Sequence, residues 1–175
     1  GLRGRKRDSH EGGIRVAGLV RWPDRIMPGS VSDVPVIGSD IFSTVLDITD
    51  IPLPADRTID GVSMIPAFDD KPLKRPVPLF WRTHVAPANS HAALRIGDWK
   101  LISNKSFDKF QLYQIQKDWK EEHDLAAEQA EKLDEMKEVF FKVLEGIEKE
   151  GPSEWWKNEP SRKKKPRKKK AAPGN

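Results

Sequence analysis

The chain contains no cysteine and a single tyrosine among its 175 residues. Without cysteine it cannot form a disulfide, bind a metal through thiolates or use a thiol nucleophile. Long apolar runs are also missing, since aspartates interrupt even the stretch 31–51, and no segment is suited to spanning a bilayer. Residues 1–7 are basic but no apolar region follows them, so we expect no signal peptide at this start.

Charge is what the chain has in abundance. The length of 175 residues is enough for one domain or one and a half. Charged residues make up 33% and hydrophobic residues 37%, so the core is expected to be modest. The net charge of +4 is uneven: residues 157–175 hold nine basic residues and one acidic residue, so this tail carries +8 and the rest −4. We expect the tail to be disordered, either as a solubilising end or as a non-specific contact for polyanions.

The first half of the chain predicts one strand and one helix joined by irregular segments. Residues 14–20 form an apolar run with β-branched members, which is typical of a buried strand. Six prolines between positions 52 and 78 predict a long irregular connection. Ser39 is a candidate N-cap for a helix through Asp47, whose apolar face would consist of Ile41, Phe42, Val45, Leu46 and Ile48.

The second half predicts a small antiparallel sheet covered by one long helix. Gly97 and Asp98 form a two-residue hairpin turn, and a sheet of this size needs a cover to be stable. Four segments have the character of strands: 79–81, 92–96, 99–103 and 111–115. A helix over 127–150, ended by Gly151, is predicted by apolar residues at three- and four-residue steps: Leu133, Met136, Phe140, Val143 or Leu144, and Ile147.

The N-terminal loop combines basic residues with a glycine pair. Gly12 and Gly13 let the backbone pass close to another group, and the loop places Lys6 near a strand end, where open α/β folds keep ligands. Spacing alone favours a solvated basic loop. The alternative is an anion site, which requires several side chains to converge: Arg3, Arg5, Lys6, Arg7, His10 and Arg15.

Two loop histidines, His84 and His91, are further candidates for chemistry. Either could reach a ligand cleft from the second half of the chain, and His84 is the one that we retain. The alternative is that both are ordinary surface residues, as loop histidines commonly are. Two histidines seven residues apart without nearby carboxylates make a poor zinc site, and Asp69 and Asp70 lie in a proline-flanked loop that predicts surface. No metal site is predicted in this chain.

Several sequence patterns occur in the order seen in one enzyme family. Residues 2–23 read L-R-x-x-K, four residues, E-G-G-I-R-V and then W-P. This resembles the type I sulfatase signature, L-R-x-x-K-x-x-x-x-E-G-G-x-R-x-P with W-P-G. Further similar segments extend the match to about residue 150: the helix at 39–47, D-G-V-S at 60–63, R-I-G-D-W-K-L-I at 95–102 and L-Y at 112–113 with E-H-D-L-A at 122–126. The chain therefore resembles the C-terminal portion of an arylsulfatase or N-acetylgalactosamine-6-sulfatase-like enzyme.

The resemblance implies the α/β fold of the alkaline-phosphatase-like superfamily. Residues 1–75 would complete the edge of the α/β catalytic domain, 76–156 would form the antiparallel sheet-plus-helix subdomain, and 157–175 would be the basic tail. The implied activity is hydrolysis of carbohydrate or aryl sulfate esters by a formylglycine, assisted by calcium, in the periplasm or outside the cell. Lys6 stands at the position of a sulfate-binding catalytic lysine. His84 and His10 are further candidate substrate contacts.

The chain also departs from the family pattern. The nucleophile motif C-x-P-S-R is absent, and we interpret Asn158–Arg162, which spells it with Asn in place of Cys, as a coincidence. The paired-aspartate metal motif is missing as well. We therefore expect the nucleophile and the calcium ligands upstream of Gly1, and the chain alone to be inactive, with surface exposed that is meant for the missing part. The alternative is a non-catalytic interaction fragment or a polyanion-binding protein.

Overall fold

The computed structural model describes residues 1–151. The basic tail and the Asn158–Arg162 motif lie outside the described residues, so their interpretation stays a prediction. Within residues 1–151 no helix combines the length and the apolarity that crossing a membrane requires. The elements are α1 (Glu11–Ile14), α2 (Asp40–Ile48), a 3-10 helix (Ile65–Asp69), β1 (Leu79–Arg82), β2 (Ala92–Ile96), β3 (Trp99–Ser103), β4 (Phe110–Gln114) and α3 (Ala130–Glu150).

The four strands form one antiparallel sheet in the order β1-β2-β3-β4, so each strand pairs with its neighbour in sequence. Leu94 is opposite Leu101, which is opposite Leu112. Gly97 has a φ of 57° in the turn between β2 and β3, a conformation in which glycine avoids the steric penalty of a Cβ. The predicted strands and the hairpin turn are confirmed.

Helix α3 covers one face of the sheet. Its residues Met136, Phe140 and Leu144 are buried against the strands, at the spacing that the apolar stripe predicted. Phe140 is fully buried and its ring centroid lies 5.4 Å from that of Phe80 on β1. The backbone N–H of Gly151 donates to the carbonyl of Ile147 over 2.9 Å and ends the helix. The long covering helix is therefore confirmed.

The opposite face of the sheet is covered by the N-terminal loop. Tyr113 and Lys100 alternate with the residues that contact α3, so they point to this second face. Arg3, His10 and Glu11 of the loop contact them. The sheet is thus enclosed between α3 and the loop that carries Lys6. The domain boundary at residue 75 stays a prediction.

The predicted strand at 14–20 is wrong for the described structure. Ile14 ends α1, and residues 15–20 belong to no strand of the described structure. Val16 is 86% and Leu19 98% exposed. An apolar run becomes a stable strand only when a neighbour accepts its backbone hydrogen bonds and covers its side chains. Residues 1–151 provide no such neighbour here.

Helix α2 forms where it was predicted, but its polar side is the buried one. Ser43 and Thr44 are buried, and the Ser43 hydroxyl donates to the carbonyl of Gly61 over 2.8 Å. Its apolar side is open, with Ile41 58% and Phe42 49% exposed. This agrees with the expectation that the first half of the chain exposes apolar surface.

Ser39 is the N-cap residue of α2, as predicted. The Ser39 side chain makes no capping hydrogen bond. The carboxylate of the next residue, Asp40, accepts the backbone N–H of Ile37 over 2.8 Å and that of Val62 over 3.0 Å, two donors that lie outside the helix. Two backbone donors thus converge on one buried carboxylate.

Candidate functional site

Lys6 lies in a tight turn of the N-terminal loop. The backbone N–H of Asp8 donates to the carbonyl of Arg5 over 2.8 Å, which closes the turn around Lys6 and Arg7. Arg7 has a φ of 80°, the value that favours glycine at the third position of a turn. The Lys6 side chain is exposed and makes no hydrogen bond or ion pair with any residue of the described part of the chain.

The glycine pair holds this turn against its own loop. The backbone N–H of Gly12 donates to the carbonyl of Arg3 over 2.7 Å. A Cβ at Gly12 would lie 2.5 Å from that same oxygen, and a Cβ at Gly13 would overlap the carbonyl of Asp8. The predicted close backbone approach is confirmed, and the group approached is the turn that carries Lys6.

A buried ion cluster joins the loop to the sheet. The Lys100 ammonium lies 2.8 Å from Glu11 Oε1 and 2.7 Å from Glu121 Oε1, and all three side chains are at most 3% exposed. The backbone N–H of Glu11 donates to Glu121 Oε2 over 2.7 Å. Arg3 donates to the Tyr113 hydroxyl over 2.9 Å and to the carbonyl of Glu121 over 2.6 Å.

Sequence reasoning missed this cluster. Lys100 stands in a strand between Trp99 and Leu101, where a charge on the second face was compatible with simple exposure to water. The usable signal was that the loop motif with Glu11 and the strand motif with Lys100 belong to one family pattern. Burial of both charges explains why they occur together, since a buried ion requires a partner of opposite charge.

The six basic loop residues do not converge. Arg3 is occupied by Tyr113 and Glu121, and Arg15 Nη1 lies 3.7 Å from Glu11 Oε2. Lys6 is exposed together with its neighbours Arg5 and Arg7. The solvated loop, which spacing favoured over an anion site made by the whole cluster, is therefore the better description, with Lys6 in its turn.

His10 is buried beneath the Lys6 turn. Its Nδ1 lies 2.7 Å from Asp8 Oδ1, and its ring meets that of Tyr113 edge-on at a centroid distance of 6.4 Å. Its Nε2 has no hydrogen-bond partner within residues 1–151. Burial acts to raise the pKa of Asp8, but the interactions of the carboxylate with Ser90 and His10 outweigh it, so this pKa is lowered and the carboxylate stays ionised.

Ser90 interacts electrostatically with the Asp8 carboxylate, which places the second candidate loop beside the first. Ser90 and His91 end the connection from β1 to β2, the connection that also carries His84. His84 is exposed. His91 is buried, so its interpretation as a surface residue is wrong. Burial first, and then the positive charges of Arg82, Lys105 and His84, lower the pKa of His91 and keep it neutral. The loops of Lys6 and His84 are thus neighbours.

Groups of three or more histidine, aspartate or glutamate residues that could hold a metal ion do not occur in the described part of the chain. Asp69 and Asp70 are exposed as predicted. Asp69 Oδ1 is paired with Arg25 at 2.9 Å. The chain also has no cysteine. The residues present therefore do not fit the calcium ion or the formylglycine that the resemblance implies.

Comparison with known protein families identifies the family of this chain. The family model described as N-sulphoglucosamine sulphohydrolase, C-terminal, matches residues 5–150. The chain belongs to this sulfatase C-terminal family. The matched range contains the Lys6 turn, the ion cluster, the whole sheet and α3, and it confirms the predicted C-terminal portion of a type I sulfatase.

Curated sulfatases match parts of the same range. Steryl-sulfatase of Rattus norvegicus is 48% identical over 64 residues, which are 37% of this chain and 11% of the relative. N-acetylgalactosamine-6-sulfatase of Sus scrofa is 31% identical over 96 residues, which are 54% of this chain and 17% of the relative. The matched segments thus cover less than a fifth of either relative.

Solved structures share the fold. Ps i-CgsB, also solved in complex with k-i-k-neocarrahexaose, superposes with a TM-score of 0.64 at 25% identity, covering 79% of this chain and 32% of that one. A protein from a glycosaminoglycan-metabolism locus of Bacteroides thetaiotaomicron gives a TM-score of 0.65 at 23% identity, covering 81% and 32%. The α/β fold of a sulfatase C-terminal part is therefore confirmed, and the chain spans about a third of the length of these sulfatase-fold structures.

Proposed function

We propose that this chain supplies a sulfate-binding lysine and the C-terminal subdomain of a sulfatase. The observation that carries the proposal is that Lys6 combines a fixed backbone with an unpaired ammonium in the described part of the chain. Its backbone is held in a turn that the glycine pair buttresses, while its ammonium has no partner within residues 1–151. When a sulfate ester is cleaved, negative charge grows on the sulfate oxygens and on the departing oxygen, and a preorganised cation at a sulfate oxygen stabilises it.

The proposed substrates are sulfate esters of carbohydrates or aryl alcohols. Relatives named N-acetylgalactosamine-6-sulfatase and arylsulfatase support this class. In the proposal the Lys6 ammonium contacts a sulfate oxygen, and His84, on the neighbouring loop, contacts the leaving group. His10 orients the turn from below through Asp8. We place the enzyme in the periplasm or outside the cell, as the family resemblance implies.

The proposal assigns the nucleophile and the calcium ligands to parts of the sulfatase fold outside this chain. A calcium ion held there would supply polarisation of the sulfate, and a formylglycine there would supply the nucleophile. This chain's contribution is electrostatic and positional: it fixes one cation and shapes the wall of the cleft.

The test is release of sulfate from a chromogenic aryl sulfate by the complete enzyme, meaning this chain together with the remaining part of the sulfatase fold. Lys6→Ala should lower kcat/KM by about 10²-fold to 10³-fold, the usual cost of one preorganised charge-stabilising group. Arg5→Ala removes a neighbouring exposed cation and should leave kcat/KM within about twofold, as for a surface substitution. Full activity in Lys6→Ala, or turnover by the chain alone, contradicts the proposal.

A further inference from the structure

We infer that the buried ammonium of Lys100 positions the Lys6 turn for sulfate binding, acting through Glu11 and Glu121. These three residues are called the Lys100 clamp below. The inference rests on the proposed function of Lys6, because it assigns the clamp a role in that function. Lys100 itself is fully buried, so it acts on the substrate only through the loop that it holds.

The N-terminal loop is a closed unit. Its internal backbone bonds join Gly12 to Arg3, Asp8 to Arg5 and Gly13 to His10. Among the described residues it shares no strand ladder with the sheet, since the pairings involve only β1 to β4. The position of the loop is therefore set by the side chains that attach it.

Those attachments are polar and directional. The apolar cluster on this face of the sheet is small, consisting of Ala93, Ile102, Tyr113 and Ile115, and apolar contact does not specify one orientation. The Lys100 ammonium donates to both glutamates at 2.8 Å and 2.7 Å, and the Glu11 N–H donates to Glu121 at 2.7 Å. Short charge-assisted bonds with this geometry hold the loop in one position and orientation on the sheet.

The charges of the clamp show which of its residues can be altered without unbalancing the sheet. Two carboxylates share one ammonium, so removing Lys100 leaves two buried negative charges side by side. Removing the Glu11 carboxylate instead leaves Lys100 paired one-to-one with Glu121. A Glu11 variant therefore removes the ionic attachment of the loop, leaving only its bonds through Arg3 and the Glu11 N–H, while the sheet keeps a balanced pair.

A movement of Glu11 is transmitted directly to the Lys6 turn. Glu11 is followed by Gly12 and Gly13, whose backbones lie against the carbonyls of Arg3 and Asp8. These two carbonyls belong to the segment that contains Lys6. A displacement of about 1 Å in a positioned group costs about 10²-fold in rate, so the turn needs a fixed attachment to work.

The first experiment is limited trypsin digestion of the full chain, which is independent of sulfatase activity. Cleavage after Arg5, Lys6 and Arg7 reports on the loop, and cleavage after Lys137 and Lys142 reports on α3. In Glu11→Ala the ratio of loop to α3 cleavage should rise on the order of tenfold, because only the loop is released. Glu11→Gln keeps an acceptor for Lys100 and should stay within about threefold of the wild-type ratio.

Leu144→Ala is the matched control, because it destabilises the sheet from its other face. It should accelerate loop and α3 cleavage together and leave their ratio unchanged. An unchanged ratio in Glu11→Ala overturns the inference, whatever the enzyme assay shows.

The second experiment measures kinetics in the complete enzyme. Glu11→Ala should lower kcat/KM by about 10²-fold and weaken competitive inhibition by inorganic sulfate by about tenfold, with Glu11→Gln near wild type. Leu144→Ala should lower kcat only by its folded fraction and leave KM unchanged. Unchanged kcat/KM in an enzyme whose loop is released overturns the positioning role. A wild-type enzyme without sulfate release contradicts the proposed function, while the digestion still decides whether the clamp holds the loop.

Discussion

Arg75 and Asp40 form a two-pronged salt bridge at the start of α2, with Arg75 Nη2 2.6 Å from Asp40 Oδ2 and Nη1 2.8 Å from Oδ1. Arg75 Nη2 also donates to the carbonyl of Pro35 over 3.1 Å. The same carboxylate receives the N–H groups of Ile37 and Val62. One buried aspartate therefore joins three separate segments of irregular chain to a helix.

Removing Arg75 from this salt bridge should lower the stability of the chain. Arg75→Ala leaves the buried Asp40 carboxylate without its counter-ion, and we expect the free energy of unfolding to fall by about 3 kcal/mol. Urea denaturation followed by circular dichroism measures it. Arg57→Ala breaks the exposed pair with Asp56 and serves as the control, with no measurable change expected. Equal effects of the two substitutions would show that burial of the Asp40 pair does not matter.

The salt bridge between Arg75 and Asp40 also makes the stability of the chain depend on pH. Burial acts to raise the pKa of Asp40, but hydrogen bonds from Arg75, Val62 and Ile37 outweigh it, and the pKa lies below its ordinary value of 3.8. The folded state therefore binds fewer protons than the unfolded state around this value. The stabilisation is complete above about pH 5 and is lost as the pH falls through the lowered pKa.

Asp40→Asn tests this dependence because the amide does not titrate. Between about pH 6 and about pH 3 the unfolding free energy of the wild type should fall more steeply than that of Asp40→Asn. Parallel curves would mean that Asp40 has the same pKa in both states.

The glycine pair offers a prediction about the Lys6 turn. A Cβ at Gly13 overlaps the Asp8 carbonyl, whereas a Cβ at Gly146 in α3 meets nothing within 4 Å. Gly13→Ala should therefore destabilise the chain by about 1–3 kcal/mol, and Gly146→Ala should stabilise it by about 0.5–1 kcal/mol. Thermal unfolding of both variants checks the two signs. A neutral Gly13→Ala would show that the turn shifts freely.

The sheet and α3 were predictable because their signals are local. Alternation in β2 and β3, the Gly97 turn and the stripe around Phe140 each occupy a short window of sequence. Local periodicity does not say whether a partner exists, which is why residues 14–20 gave a false strand. The bonds from Ile37 and the distant Val62 to the Asp40 carboxylate were not predictable, because they depend on how irregular segments fold around α2.

The candidate site was predictable only in part. Lys6 and the glycine pair follow from a motif contained in the first 13 residues. The bonds from Glu11 to Lys100 and Glu121 join positions that no short window contains, and the burial of Lys100 depends on which face of the sheet the loop covers. Such contacts follow from the tertiary arrangement and not from periodicity.

Tyr113 provides a titration that needs no label, since it is the single tyrosine of the chain. Burial, opposed by the positive charge of Arg3, raises its pKa to about 12. The phenolate absorption band should therefore appear near pH 12 in the folded chain and near pH 10 in guanidinium. The raised pKa also means that the un-ionised Tyr113 hydroxyl contributes to stability. This contribution is complete below about pH 10 and is lost as the pH rises through the pKa of Tyr113 in the folded chain. Ionisation at the same pH in both conditions would place Tyr113 in water.

The order of the strands has a consequence for the way the chain reaches its final structure. Each strand pairs with its neighbour in sequence, so the sheet assembles through contacts of short range. Glu11, in contrast, meets partners 89 and 110 residues further along the chain, and closing such long loops costs more entropy. On the ribosome the segment with Lys6 is made before the sheet, yet it cannot settle until Glu121 has emerged. A segment synthesised before the sheet thus reaches its final position only after the sheet has formed.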